Sequence, residues 1–340
     1  MRTTLALLAS LSMLAAPAFA AAPVKDDTVG IDLASKDLDK HGSQRYGHAE
    51  VTQAQVIQGK KDLPKDQLSL YEKVYAALAA RKQSQEQLAA LVAAHRLKYA
   101  DAQRHTVLDN LATIANGKIG HGIPKDTLLA DVVADITRPS TVAQAHHSSC
   151  TATSIQAQLA RQNPAEYVRL VAGLATAGKV TLRNGKMTLS DKNYLPSKDR
   201  TSSSNLMQAA IMTAESEVEG GRYDNANDCS YDKQGRKYVG EYNVHVIAVE
   251  NAMLSGKFEN MGVNAGNRDA AMAILKHASA KFPVLASVKM KSGGGHEIQV
   301  VGYDTHKSIV TIRNPWGEIV NFPAKPFRQA LTGINYEVGE

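Results

Sequence analysis

The stretch Gln144-Ala-His-His-Ser-Ser-Cys150 is followed directly by a segment of helical character that extends from Thr151 to Gln162. The unpaired N–H groups and the dipole of a helix N-terminus favour an anion, which lowers the pKa of a cysteine placed there. A thiolate is a far better nucleophile than a thiol. The stretch therefore predicts a helix that presents Cys150 for covalent chemistry.

Two polar residues later in the chain supply what a cysteine nucleophile needs. His296 opens the run His-Glu-Ile-Gln-Val-Val-Gly-Tyr, and Asn314 opens Asn-Pro-Trp-Gly. An imidazole can accept the thiol proton and later return it, while an amide oxygen can hold the ring in place. His296 is thus the candidate partner of Cys150, Asn314 is the candidate orienting residue, and Trp316 is placed to shield their hydrogen bond from water.

Acyl transfer also needs donors for the oxyanion that develops in the transition state. The backbone N–H of Cys150 can supply one donor, and the side-chain amide of Gln144 can supply the other. Gly293, Gly294 and Gly295 come directly before His296 and carry no side chains. A substrate backbone can therefore approach closely at Gly295.

This combination resembles the papain-like (clan CA) superfamily of cysteine peptidases, and Asn314-Pro-Trp-Gly317 is most similar to its calpain branch. The resemblance implies Cys150 as nucleophile, His296 as general base and acid, Asn314 as orienter and Gln144 as oxyanion donor. It also implies a papain-like two-lobed α+β domain, with a helical lobe that carries the cysteine and an antiparallel β lobe that carries the histidine and the asparagine. The expected activity is hydrolysis of protein or peptide substrates through an acyl-enzyme intermediate.

Neither a cofactor nor a metal is expected. Asp228, Ser230 and Asp232 alternate as in a calcium loop, but Lys233 replaces the required glycine and Val239 the distal glutamate. His146 and His147 lie beside the cysteine, yet no second cluster completes a ligand set. The chain also departs from the family in having Thr151 where an aromatic residue usually follows the nucleophile.

The chain divides into three predicted regions. Residues 1–20 combine a positive start, an apolar run and Ala18-Phe-Ala20, which is typical of a cleaved secretory signal peptide, although a retained anchor is an alternative. Residues 21–125 form a helical N-terminal region, interpreted as a removable propeptide of a zymogen or as a permanent docking domain. Residues 126–340 form the papain-like domain, in which helices are followed by antiparallel strands.

Composition restricts the partners. The net charge of +6 comes from scattered lysines and arginines rather than from a basic stripe, so nucleic-acid binding is not expected. No segment after the signal is apolar for the ~18 residues that a membrane span requires. We expect a secreted monomer, exported to the periplasm or beyond the cell, without stable membrane insertion.

Two other interpretations stay open at this point. The two cysteines of an exported protein can form a disulfide, and a Cys150–Cys229 bond would make the chain a non-enzymatic binding module. Transglutaminases, deamidases and cell-wall amidases also use Cys–His pairs. Many of them orient the histidine with aspartate or a second histidine, so Asn314 favours the peptidase.

Overall fold

The computed structural model describes residues 28–33, 39–41, 51–190, 194–241 and 243–338. These residues form a mixed fold in which helices pack with antiparallel sheets, which confirms the predicted α+β class. The signal peptide predicted at residues 1–20 lies outside the described residues. No described helix combines the length and the apolar character needed to cross a bilayer.

Five helices precede the cysteine-bearing stretch. They are α1 (Gln53–Lys61), α2 (Lys65–Ala77), α3 (Lys82–Ala93), α4 (Val107–Asn116) and α5 (Lys125–Thr137). Thr52 and Thr106 each begin a helix with a capping box, in which the threonine side chain and the third helical residue satisfy each other's backbone N–H groups. From residue 65 to residue 116, apolar residues recur every three or four positions, which predicts helix. The structure confirms this prediction.

Four more helices surround the cysteine. They are α6 (Cys150–Gln162), α7 (Pro164–Ala177), α8 (Ser202–Glu217) and α9 (Asn243–Met253). The predicted starts are confirmed, because Cys150 is the first residue of α6 and Pro164 occupies the first turn of α7. Thr201 caps α8 by accepting a hydrogen bond from the backbone N–H of Ser204.

Helices from both groups bury their apolar faces in one hydrophobic core, which we call the helical cluster. Its fully buried members include Leu91, Leu111, Val133, Ile155, Leu174 and Leu206. Residues 51–125 therefore do not form a separate module laid on the surface. They share one core with the helices that carry and flank Cys150.

A seven-stranded antiparallel sheet forms the other main part of the fold, with the strand order β1-β11-β10-β9-β8-β12-β7. Its strands are β1 (Asp39–His41), β7 (Lys257–Gly262), β8 (Val284–Lys289), β9 (Gly295–Asp304), β10 (Ile309–Asn314), β11 (Glu318–Pro323) and β12 (Leu331–Val338). Helices α10 (Arg268–Leu275) and α11 (Ala324–Ala330) pack on the sheet. Their contacts form a second core, the sheet cluster, which includes Ile298, Val300, Ile312 and Phe327.

The start of the described chain belongs to this sheet cluster. Ile31 and Leu33 are buried in it, and the backbone of Ile31 exchanges hydrogen bonds with Lys289 and Lys291 at 3.0 and 2.7 Å. This segment lies at the turn that connects β8 to β9. The N-terminal part of the chain therefore contributes to both cores.

Two small sheets complete the fold. The strands β2 (Lys179–Leu182) and β3 (Gly185–Thr188) form the hairpin that Asn184-Gly185 predicts. The polar composition from Arg222 to Gly240 predicts a long loop. This prediction is wrong, because the strands β4 (Arg222–Asp224), β5 (Cys229–Tyr231) and β6 (Lys237–Tyr238) pair there. These strands are too short to show an alternating pattern, and a contact of the Arg222 guanidinium with the Tyr231 ring at 3.9 Å helps to hold them.

Helix α6 packs directly on strand β9, and this contact positions the candidate site. The Gln299 side chain of β9 donates to the Ser154 carbonyl of α6 at 3.1 Å. From β10, the Arg313 guanidinium donates to the Thr153 carbonyl of α6 at 3.4 Å and to the Val142 carbonyl. The first turn of α6 is thereby fixed against the ends of the strands that carry His296 and Asn314.

Candidate active site

Cys150 lies at the open N-terminus of α6, where the first backbone N–H groups have no partner within the helix. The preceding Ser149 does not cap them, because its hydroxyl donates instead to the Gln208 side chain at 2.9 Å. The backbone N–H of Thr151 hydrogen-bonds to the thiol of Cys150. The helix end is thus available to stabilise negative charge on the sulfur or on a substrate oxygen.

His296 is the second residue of β9 and is held by Asn314 at the end of β10. Its Nε2 lies 3.1 Å from the side-chain Oδ1 of Asn314, which is fully buried. Because Oδ1 is only an acceptor, Nε2 carries the proton, and Nδ1 of the neutral ring has the free lone pair. The geometry thus fixes the tautomer that can act as a base.

Trp316 packs against the His296 ring. The ring centroids of His296 and Trp316 are 5.0 Å apart at an interplanar angle of 32°. The backbone N–H of Trp316 also approaches Oδ1 of Asn314 at 3.4 Å. The predicted shielding of the His296–Asn314 hydrogen bond by the indole stays a prediction.

Cys150, His296 and Gly295 line one cleft of about 510 Å³. The backbone N–H of Glu297, the residue after His296, hydrogen-bonds to the Cys150 thiol. The sulfur thus lies near the start of β9, and His296 lines the same cleft. A Cβ on Gly295 would meet no atom within 4 Å, so this residue faces open space, as expected for the approach of a substrate backbone.

Electrostatics keep both reacting groups neutral in the resting protein. Burial, together with the carboxyl groups of Glu297 and Glu215, raises the pKa of the Cys150 thiol to about 12. The hydrogen bonds from the N–H groups of Glu297 and Thr151 act in the opposite direction. Burial also lowers the pKa of His296, and the hydrogen bond to Asn314 opposes that shift. At neutral pH these shifts leave the thiol protonated and the imidazole uncharged.

Gln144 is buried near the other site residues but does not line the cleft. Its side-chain Nε2 donates to the carbonyl of His147 at 2.6 Å, and its backbone N–H donates to the carbonyl of Pro315 at 2.8 Å. This second bond joins the loop before the cysteine to the residue that follows Asn314. The bond to His147 uses one of the two hydrogens of the Gln144 side-chain amide. Binding of an oxyanion by Gln144 would need the other hydrogen, and this role stays a prediction.

Both thiols of the chain are free, so the structure contains no Cys150–Cys229 disulfide. Cys229 is buried in β5, whereas Cys150 is half-buried. His147 lies 3.8 Å from Asp199 and 4.0 Å from Asp228 rather than beside other ligands. Across the described ranges, no group of three or more histidine, cysteine or acidic residues is arranged to hold a metal ion.

Sequence reasoning missed the acidic character of the cleft. Its remaining lining residues are Thr151, Val239, Gly240, Glu241, Val244, Ser287, Glu297 and Thr332. Glu297 stands beside His296 in the sequence, so its position near the site could have been found from the strand alone. The position of Glu241 in the cleft could not have been found in this way. Glu241 follows the strands β4–β6, and the sequence of these strands resembles a polar loop.

Neither the protein-family models nor the curated protein sequences show a significant match to this chain.

Proposed function

We propose that this chain is a cysteine peptidase with a papain-like two-lobed domain, in which the helical cluster and the sheet cluster form the two lobes. The observation that carries the proposal is the buried hydrogen bond of 3.1 Å between His296 and Asn314 at the wall of the cleft that Cys150 lines. An asparagine oxygen on one ring nitrogen leaves the other nitrogen for the proton of a nucleophile.

The proposed reaction begins with transfer of the Cys150 thiol proton to Nδ1 of His296. The sulfur attacks the peptide carbonyl carbon, and the backbone N–H groups at the start of α6 stabilise the oxyanion. The intermediate collapses to a thioester as His296 returns the proton to the leaving amine. A water molecule, deprotonated by His296, then hydrolyses the thioester and restores the free thiol.

The pKa directions support a general-base route rather than a permanent ion pair. The thiol pKa of about 12 means that the sulfur is protonated at neutral pH, and the lowered pKa of His296 means that its ring is then neutral. Proton transfer therefore accompanies substrate attack. We propose that the thiolate of Cys150 forms only when a substrate is bound in the cleft.

We also propose that residues 51–125 are a permanent part of the helical lobe rather than a removable propeptide. Their apolar side chains are buried in the core that contains α6, and the cleft lining includes no described residue from this range. Removing them would expose that core rather than open the cleft. Export as a secreted monomer likewise stays a proposal, based on the signal pattern and the composition.

The test of the activity compares two cysteine variants on casein and on fluorogenic peptides. Cys150→Ala should abolish both cleavage and labelling by a thiol-directed epoxide, whereas Cys229→Ala should retain both. Release of ammonia from glutamine peptides, measured in parallel, separates hydrolysis of the backbone from deamidation. Full activity of Cys150→Ala, or ammonia release without peptide cleavage, would refute the peptidase proposal.

A further inference from the structure

The lining of the cleft is negatively charged. Among the described residues, Glu241 and Glu297 line it, and no lysine or arginine does. Glu215 lies behind this wall and accepts a hydrogen bond from the Thr151 hydroxyl at 3.1 Å. Glu250 of α9 is also fully buried and acts electrostatically on Glu215. The part of the cleft next to Cys150 therefore concentrates carboxyl groups, and Glu241 is the one among them that pairs with a described basic side chain, His245 at 3.0 Å.

The carboxyl groups differ in how many hydrogen bonds they accept. Glu241 is saturated, because its oxygens accept from the following four side chains: Ser216, Ser230, Tyr238 and His245. Glu297 accepts a single side-chain bond, from the Ser287 hydroxyl at 2.7 Å. A carboxylate has about four acceptor positions, so Glu297 retains unused acceptor capacity at the cleft wall.

A second observation shows that this region lacks a donor. The Oε1 atom of Glu215 is fully buried and has no hydrogen-bond partner, although the other oxygen of the same carboxyl is bonded to Thr151. Buried carboxyl oxygens without donors are costly, particularly in the charged form. Burial, and next the charge of Glu241, accordingly raise the pKa of Glu215 well above its usual range. No described lysine or arginine is bonded to the carboxyl group of Glu297, which lines the cleft itself.

We propose that the cleft selects peptides with a lysine or arginine side chain next to the scissile bond, whose cation pairs with Glu297. The proposal rests on the peptidase function proposed above and names the substrate class of that site. Glu297 follows His296 directly, and its own backbone N–H contacts the Cys150 sulfur. A side chain bound to its carboxyl therefore belongs to a residue close to the bond that is cut.

The bound cation also affects the reaction. The charges of Glu297 and Glu215 raise the pKa of the Cys150 thiol, so they oppose formation of the thiolate. A substrate cation near Glu297 cancels part of this effect and assists deprotonation of the sulfur. A neutral substrate of the same shape lacks this assistance. Selectivity for a cation is therefore expected in the acylation step as well as in binding.

The preference depends on pH in a defined direction. Burial raises the pKa of Glu297 to about 7, and the hydrogen bond from Ser287 opposes the shift. Other titratable groups around Glu297 are Cys150 on α6, Glu215 on α8, Glu250 on α9, and His296 and Glu241, which line the same cleft. Lys289 of β8 directs its Nζ to the carbonyl of Thr28 at 3.5 Å. Since Glu297 ionises as the pH rises, selectivity for a cation grows from about pH 6 to about pH 8.

The first experiment measures kcat/KM for fluorogenic peptides that differ only in lysine, norleucine or glutamate at each position around the scissile bond. Wild type should prefer lysine over norleucine at one position by about 10- to 100-fold, the worth of a charge-assisted hydrogen bond. Glu297→Gln should reduce this ratio to below about 3-fold and remove its pH dependence. Glu259→Gln, at an exposed position on the edge strand β7, should keep the wild-type ratio. Equal rates for lysine and norleucine peptides with the wild-type protein overturn the proposal, even if Glu297→Gln does not fold.

A second experiment does not depend on peptide cleavage. In a Cys229→Ala background, Cys150 is the only thiol, and its reaction rates with cationic and anionic methanethiosulfonates report the local charge. We expect the cationic reagent to react at least 10-fold faster at pH 8, with the difference reduced in Glu297→Gln. Charge-selective labelling without cleavage of any peptide would refute the peptidase while supporting the acidic cleft. Cleavage with equal labelling rates would refute the cation site and leave the peptidase standing.

Discussion

The hydrogen bond between His296 and Asn314 can be tested through Asn314→Ala. The substitution removes the only side-chain acceptor of the Nε2 proton at a site that is fully buried. A buried donor left without a partner costs about 1–3 kcal/mol. Since each 1.36 kcal/mol is worth a factor of ten in rate, we expect kcat/KM to fall by about 5- to 150-fold.

Asn314→Asp tests the same contact through pH. A carboxylate beside Nε2 favours the imidazolium and raises the pKa of His296, which burial lowers in the wild type. The general base acts in its neutral form, so the acidic limb of the kcat/KM profile should move to higher pH in Asn314→Asp. Asn314→Ala should instead reduce the rate across the profile.

The assay is the pH dependence of kcat/KM on a fluorogenic peptide, with thermal melting to verify that each variant is folded. Asn116→Ala is the matched control, because Asn116 is exposed at the last residue of α4. If folded Asn314→Ala keeps the wild-type rate and pH profile, Asn314 does not orient the imidazole. The hydrogen bond between His296 and Asn314 would then no longer support the proposed function.

Three further predictions concern stability and the oxyanion. Burial raises the pKa of Glu250 to about 8, so its contribution to stability is present below about pH 4.3 and lost as the pH rises to 8. In thermal melts at pH 5 and pH 8, Glu250→Gln should therefore show a smaller decrease in Tm than wild type, whereas Glu259→Gln should match wild type. Leu111→Ala, in the helical cluster, should lower the free energy of unfolding by about 2–5 kcal/mol, and activity should be lost in the same unfolding transition. Ile57→Ala, at an exposed position, should change the free energy of unfolding by less than about 0.5 kcal/mol. Separate transitions for unfolding and loss of activity would contradict a shared core. Gln144→Ala should lower kcat by about 10²–10³-fold with little change in KM if its amide binds the oxyanion, and a loss below 10-fold would limit it to supporting the loop.

Local signals account for what the sequence predicted correctly. Cys150 at a helix start, the hairpin at Asn184-Gly185 and the strand beginning at His296 all depend on neighbours within a few residues. Hydrophobic period, capping residues and turn residues report such structure directly. The order of Cys150, His296 and Asn314 suggested a common site, and the structure places them at the contact between α6 and β9.

Contacts between distant segments account for what the sequence did not predict. The strands β4–β6 are stabilised by pairing with one another rather than by an apolar pattern, so they resembled a loop. The pairing of β1 with β11 and the burial of Ile31 depend on residues near the other end of the chain. Glu215 and Glu297 lie far apart in the sequence, and only the fold brings the two carboxyl groups close to each other and to Cys150.

The path of the chain through the two cores has a consequence for the order of folding. Most residues of the helical cluster, including those of α6, precede β7 in the sequence. Ile31 and Leu33, by contrast, become buried only when β8–β12 have formed the sheet cluster. Contacts between remote segments form slowly, because a long loop must close before any stabilisation is gained. In the proposed peptidase, we therefore expect Cys150 to be in place on α6 before the pairing of β9 with β10 brings His296 and Asn314 together. We expect its thiol to stay inactive until these last segments fold.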